Sequence, residues 1–321
     1  MGRAALAGLA AYETAERTPL QRQRPIAFQL DGATLRDCGG CGPPVVLIPS
    51  LINPPHVLDL DDEVSLGRAI TAMGRRVLLL DWGPAGRRAH YSVAGHVSEL
   101  LLPLLEQLGE PAALIGYCLG GTMALAAANL TPVERVVTLA TPWNFAHYPS
   151  DGRAALAELW EHAKSTAEVL GALPMEVLQS AFWSLDPERT VEKFSKFASL
   201  DPESRNARRF VALEDWANEG EPLPIPAARE LIEDFFGANL PGNGTWLVSG
   251  QRMTDGLSLP VLHCTASGDR ITPAATAPVG AGEVLNLESG HVGMIVGSAR
   301  LRLHQALASF LDPLAADGSR R

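Results

Sequence analysis

Residues 114–125 read LIGYCLGGTMAL, and the spacing of Gly116, Cys118, Gly120 and Gly121 constrains the fold more than any other feature of the chain. An apolar run ends at Tyr117 and an Ala-rich run begins just beyond Cys118. A chain that turns from a buried strand into a helix within a residue or two has no room for side chains beside the turn, so glycines flank it. The residue at the apex is pushed outward to the helix N-terminus, where unpaired N–H groups and the helix dipole favour a thiolate. A small cysteine buried at a glycine-rich crossing is the plainer reading. The strand and helix context on both sides favours a nucleophile elbow.

The rest of the chain supplies that context. RPIAFQLDGATLRDCG reads as a hairpin turning at Asp31–Gly32. Continuous apolar runs at 43–50, 75–83, 112–117 and 133–142 read as strands buried on both faces. Helical spacing falls near 62–73, over 92–108 and from the elbow to Leu130. Such alternation implies a mostly parallel central sheet with helices on both faces. It stops between 143 and 245, where the pattern is helical and five of the six tryptophans lie between 143 and 246. Strands resume at 259–269 and 282–289, and a last helix is expected near 297–311. The expected class is therefore α/β, of the α/β-hydrolase type that carries such elbows. Residues 1–142 form the N-terminal half of the core, 143–245 a helical cap or lid insertion, and 246–321 the C-terminal part of the core.

An elbow needs a base and an orienting acid, and in this architecture they follow in the order nucleophile, acid, histidine, on loops after late strands. Asp269 in HCTASGDRITP and His291 in NLESGHVGM meet that order, each directly after a strand. Asp269 alone reads equally as a turn acid and His291 alone as a surface-loop histidine. Together at strand ends they point to a Cys118–His291–Asp269 triad. Histidines 56, 90, 96, 147, 162, 263 and 304 lack this placement. The oxyanion hole is expected from the N–H of Leu119 and one from the loop after the 43–50 strand. Leu51 and Ile52 both qualify there, and Ile52 is the working assignment, since a backbone donor leaves no side-chain signature.

Charge and cysteine usage narrow the remaining classes. With 26 basic against 36 acidic residues the net charge is −10, which gives no support for nucleic-acid binding. Cys38 and Cys41 in DCGGCG offer a redox pair or half a zinc site, but no second CxxC or close histidine pair completes a metal site. A glycine-rich turn is the favoured reading, and no metal or cofactor is expected. The Ala-rich N-terminus reads as a helix packed on the domain, not a signal peptide. No apolar stretch reaches the roughly 18 residues of a membrane span, so the expected location is cytoplasmic.

The segments IPSLINPPHVLDL, LLLDWG, GYCLGGT, ASGDRITP and GHVGM, with LEDWANEGEPLPIPAARELIEDFFGANL at 213–240, together resemble the polyhydroxyalkanoate (PHA) synthases, in order over roughly residues 43 to 300. The resemblance implies an acyltransferase that polymerises 3-hydroxyacyl-CoA through a thioester on Cys118, with His291 as base, Asp269 as third member and free CoA released. It also implies a polyester chain as product, location at the surface of polyester granules, and a homodimer or a second synthase subunit as partner. Two departures stand out. The chain is too short for the long N-terminal domain of the large single-subunit synthases, so it is nearer the catalytic-core form that works with a partner. The loop from Asp269 to His291 is also shorter than usual in the family. A thioesterase or intracellular polyester depolymerase would use the same three residues, and a non-catalytic granule or partner subunit would need none. Arg205, Arg208 and Arg209 in RNARR are candidates for contacts to CoA phosphates, with a solvated helix face the favoured reading.

Overall fold

The computed structural model describes residues 2–17, 24–184 and 187–312. Its centre is an eight-stranded sheet of β1 (Ile26–Leu30), β2 (Ala33–Gly39), β3 (Pro44–Ile48), β4 (Arg76–Asp81), β5 (Ala113–Tyr117), β6 (Arg135–Leu139), β7 (Val261–Ala266) and β8 (Glu283–Leu287). The spatial order is β1-β2-β4-β3-β5-β6-β7-β8. β2 runs antiparallel to β1 and β4, and every pairing from β4 across to β8 is parallel. The β1–β2 turn forms at Asp31 (φ 45°) and Gly32 (φ 91°), two left-handed residues as a tight hairpin requires.

Every residue of β3, β5, β6 and β7 is buried, which accounts for their continuous apolar runs. Successive side chains enter opposite cores. Val46, Ile48, Leu114 and Val136 pack on one face, while Val45, Leu47, Ile115 and Val137 pack on the other. The helix after β5, Leu119–Leu130, is buried from Leu119 to Ala127. A small-residue helix so enclosed lets the elbow sit close against β3 and β6.

Between β6 and β7 the chain is helical: Ser150–Leu170, Met175–Ser184, Pro187–Phe197, Arg205–Asn218 and a segment over 225–237. Gly171 (φ 78°) ends the first of these in the left-handed conformation, and Ser204 caps Arg205–Asn218 by accepting from the N–H of Ala207 at 3.1 Å. The N-terminal helix Gly2–Thr14 packs on Pro187–Phe197, with Gly8 against the Phe194 carbonyl, where a Cβ would overlap it. Tyr12 adds a hydrogen bond to Asp215 at 2.7 Å. The N-terminal segment therefore rests on the helical insertion.

Some boundaries differ from the sequence expectation for local reasons. The helix expected at 62–73 spans only Leu66–Thr71. Asp61 Oδ1 accepts from the N–H groups of Glu63 and Val64, which turns the chain, and Ser65 then caps the helix. The last helix starts at Arg300, because Gly293–Val296 forms a separate turn of helix that ends at Gly297. Cys38 and Cys41 flank a turn with Gly39, Gly40 and Gly42 all at positive φ. Cys38 is buried and its thiol is pushed up to about 12 by desolvation, the opposite of a reactive pair. Among the described residues no helix is long and apolar enough to cross a membrane.

Candidate active site

Cys118 stands between β5 and the Leu119–Leu130 helix with φ 55° and ψ −129°, a conformation that costs a non-glycine residue about 1–3 kcal/mol. The surrounding contacts hold it there. Its N–H donates to Leu139 O at 2.9 Å, and its carbonyl accepts from the N–H of Gly121 at 2.9 Å. Each flanking glycine is required. A Cβ on Gly116 would overlap the backbone of Gly120 and Gly121, one on Gly120 the carbonyls of Ile48 and Pro49, and one on Gly121 the side chain of Thr141. The glycine spacing in the sequence is thus the imprint of three close backbone approaches.

Asp269 and His291 follow β7 and β8 and meet above the sheet. His291 Nδ1 lies 2.7 Å from Asp269 Oδ2. The other carboxylate oxygen, Oδ1, accepts from the N–H groups of Ile271 and Thr272, both at 2.8 Å. The acid is therefore fixed in its loop and aimed at the ring. His291 interacts in turn with the side chain of Cys118. Burial alone would push the imidazole down. The charge of Asp269, then that of Cys118, and hydrogen bonds to both outweigh it and lift His291 from 6.5 to about 10. Tyr117 backs the ring at a centroid distance of 5.0 Å, and its hydroxyl reaches His291 O at 3.3 Å. The structure thus brings together Cys118, His291 and Asp269, three residues read from separate segments.

Leu119 is the first residue of its helix, so its N–H is one of those the helix leaves unused. The loop after β3 is held from below. Trp82 Nε1 donates to Pro49 O at 3.1 Å, and Arg88 Nη2 donates to Leu51 O at 3.1 Å. Arg88 is 1% exposed and also binds Gly83 O and His96. In a trans peptide the carbonyl and the following N–H point in opposite directions. Drawing Leu51 O toward Arg88 therefore turns the N–H of Ile52 away from Arg88. Asn53, next in the loop, ties it to the insertion by donating to Trp216 O and Glu219 O, both at 3.2 Å.

The arginine cluster is engaged elsewhere. Arg209 makes a two-pronged pair with Asp61 at 2.6 and 3.0 Å and a further bond to Glu63 at 2.8 Å. Arg205 also pairs with Glu63, and Arg208 is exposed. Asp61 is held below its ordinary value: burial would raise it, but the bond from Arg209 and others outweigh that. Phosphate contacts through Arg205 and Arg209 would have to displace carboxylates already in place. A cavity of about 770 Å³ is lined by Leu51, Ile52, Arg36, His56, Trp82 and Glu221, among others, and Cys118 is not part of its wall. Among the described residues no cluster of three or more His, Cys, Asp or Glu side chains is arranged to hold a metal ion.

The sequence reading missed Thr272, Tyr148 and Arg88. Thr272 Oγ1 lies 4.0 Å from Cys118 Sγ, and Tyr148 lies near enough to both for them to perturb its hydroxyl. Thr272 was within reach, since it follows Asp269 by three residues in the same loop. Tyr148 and Arg88 carry no local signal, because only the tertiary fold brings Tyr148 near Cys118 and Arg88 onto Leu51 O.

No family model matches the chain. Curated relatives do. The chain is 26% identical over 276 residues to the "Poly(3-hydroxyalkanoate) polymerase subunit PhaC" of Haloferax mediterranei, covering 79% of this chain and 55% of that protein. It is 26% identical over 287 residues to the protein of the same name from Allochromatium vinosum, covering 84% and 80%. The PhaC of Synechocystis sp. is 24% identical over 293 residues, covering 84% and 77%. The chain thus spans little more than half the length of the haloarchaeal relatives, 55% and 58%. Among solved structures, a monoacylglycerol lipase from Paleococcus ferrophilus superposes with TM-score 0.54 at 18% identity, over 86% of this chain and 98% of that one. An esterase from Exiguobacterium antarcticum gives TM-score 0.53 at 16% identity, over 90% and 97%. The fold is therefore the α/β-hydrolase fold, and the resemblance in sequence is to PHA polymerases.

Proposed function

We propose that this chain is a PHA synthase-like acyltransferase that polymerises 3-hydroxyacyl-CoA through a thioester on Cys118 and releases CoA. The observation that carries the reading is a cysteine on the elbow, facing a histidine held by a buried carboxylate, in a chain similar to PHA polymerases. The Arg88-held loop supports Ile52 as the donor that joins Leu119 in the oxyanion hole.

The chemistry follows from the groups present. With Nδ1 bound to Asp269, His291 has Nε2 free to take the proton of Cys118. The thiolate attacks the acyl-CoA carbonyl carbon. The oxyanion that forms is met by the N–H groups of Leu119 and Ile52, and the CoA sulfur leaves with the proton held by His291. One thioester has been exchanged for another, so the acyl group stays activated. The hydroxyl of a second 3-hydroxyacyl group then gives its proton to His291, and its oxygen attacks the acyl carbon. An ester forms and Cys118 leaves as thiolate. A serine would hold the acyl group as an ester and lose the drive for this second transfer.

Helices 150–237 act as a cap in this reading, limiting the access of water to the acyl-enzyme. A second copy or a partner subunit, and attachment to a polyester granule, belong to the same proposal. Purified protein incubated with 3-hydroxybutyryl-CoA tests it. Free CoA with polymer supports the synthase, and free CoA with monomeric acid identifies a hydrolase of the same triad.

A further inference from the structure

We propose that Asn53 is a positioning residue of the reaction: its amide caps the end of the Arg205–Asn218 helix and thereby fixes the Ile52 backbone against the insertion. The inference rests on the reading of the Ile52 N–H as the second oxyanion donor and names what sets that donor in place.

The helix end shows how the clamp is built. An α-helix leaves its last four carbonyls without partners inside the helix. Here those carbonyls belong to Asp215, Trp216, Ala217 and Asn218. The N–H of Glu219 donates to Asp215 O at 2.6 Å, and Gln179 Nε2 donates to Asn218 O at 2.7 Å. The middle two fall to Asn53. Its Nδ2 donates to Trp216 O at 3.2 Å and Ala217 O at 3.4 Å, and also to Glu219 O at 3.2 Å. The partner of this helix end is therefore a side chain from the loop that follows β3. The helix returns a bond of its own: Trp216 is buried, and its Nε1 donates to Pro54 O at 2.8 Å.

Ile52 sits inside these ties. The carbonyl before it, Leu51 O, is held by Arg88 at 3.1 Å. Its own carbonyl lies against Gly220, where an added Cβ would come within 2.8 Å of Ile52 O. Asn53 follows, and because it precedes Pro54 its backbone is restricted to extended conformations. Arg88 thus ties the loop to the core on one side of Ile52, and Asn53 ties it to the helix end on the other. An oxyanion donor must stand about 2.7–3.1 Å from the developing charge, and a misplacement of about 1 Å costs about a hundredfold. Without the Asn53 amide the Ile52 backbone loses its tie on the insertion side, and the helix end loses the donor for two carbonyls.

The test compares first-turnover CoA release from 3-hydroxybutyryl-CoA in the wild type, Asn53→Ala, Asn53→Asp, Gln179→Met and Ile52→Pro. Alkylation of Cys118 by iodoacetamide is measured alongside. Asn53→Ala should lower the rate at saturating substrate about tenfold to a hundredfold with KM unchanged. Asn53→Asp, of the same shape but with a charged acceptor facing carbonyls, should lower it at least as far. Alkylation forms no oxyanion and should keep the wild-type rate in Asn53→Ala. Gln179→Met removes a donor from the same helix end without touching the loop, so it should lower the thermal midpoint and keep the wild-type rate of CoA release. Wild-type rates in both Asn53 variants, or an equal fall in Gln179→Met, reduce Asn53 to a helix cap and overturn the proposal. Ile52→Pro removes the donor itself and should cost at least as much as Asn53→Ala. If it acylates like the wild type, the reading of Ile52 fails and takes the proposal with it. A fall in Ile52→Pro beside wild-type rates in the Asn53 variants refutes the proposal alone. Where Ile52→Pro does not fold, the contrast between the Asn53 variants and Gln179→Met decides. A synthase and a hydrolase alike release CoA in the first turnover, so free acid in place of polymer refutes the synthase and leaves the role of Asn53 to be decided by these rates.

Discussion

Replacing Asp269 by Asn separates the two halves of the proposed reaction. The side chain has two duties: Oδ1 accepts from the N–H groups of Ile271 and Thr272, and Oδ2 faces His291 Nδ1 at 2.7 Å. The amide oxygen of Asn can keep the first duty. Its NH2 group must then face the ring, which favours a proton on Nε2 and leaves that nitrogen unable to act as a base. In the serine triads this change lowers kcat by about 10⁴. The two steps here should suffer unequally, because a thiol has an ordinary pKa of about 8.5 and is partly ionised without help. An alcohol, far less acidic, depends on an oriented base. Acylation of Cys118 should fall by about tenfold to a hundredfold, and transfer to the hydroxyl by about a thousandfold or more. Rapid quench with 3-hydroxybutyryl-CoA, measuring acyl-enzyme and chain growth separately, is the assay. Acyl-enzyme should accumulate and persist. Equal losses in both steps would refute the division of labour between thiol and base.

Arg88→Met removes the group that holds Leu51 O, so on the proposed role of Ile52 kcat should fall roughly tenfold to a hundredfold with KM unchanged, less than the loss of a whole oxyanion donor. A rise in KM alone would show that Arg88 serves binding. Replacing Arg205, Arg208 and Arg209 by Gln should leave KM for acyl-CoA unchanged and cost under about 2 kcal/mol in urea unfolding, because the pairs with Asp61 and Glu63 are partly exposed. A raised KM for acyl-CoA but not for an acyl-pantetheine would restore the phosphate reading. His291 sits at about 10 in the fold against 6.5 unperturbed, so its stabilisation is fully present below pH 6.5 and is lost as pH rises toward 10. The thermal midpoint of the wild type should therefore fall more steeply across that window than that of His291→Gln, and parallel curves would contradict it.

The strands and the three residues that meet at the elbow were legible because each leaves a local mark. β3, β5, β6 and β7 are buried on both faces and so read as unbroken apolar runs, and the glycines around Cys118 record backbone approaches that no Cβ tolerates. Edge strand β8 is exposed over most of its length, yet Leu285 and Leu287 still mark it. Alternation could not tell that β3 lies between β4 and β5, since strand order is a tertiary choice. Nor did helical spacing over 92–108 disclose the π-helical turns at His96–Leu101. What escaped altogether were pairings across the fold: Arg88 on Leu51 O, and Arg209 on Asp61. Each joins residues that carry ordinary local signals. The arginines in RNARR were visible as a charge cluster, but their carboxylate partners lie in a distant loop, so the sequence alone left phosphate contacts open.

The central claim is that Cys118 carries the growing acyl group and hands it to a hydroxyl. Isotope-labelled 3-hydroxybutyryl-CoA, acid quench and peptide mass spectrometry address it directly, followed by a chase with unlabelled substrate. The account predicts label on the peptide containing Cys118, none on those containing Cys38 or Cys264, and passage of that label into polymer during the chase. Label absent from Cys118, or released from it as free acid, would contradict it.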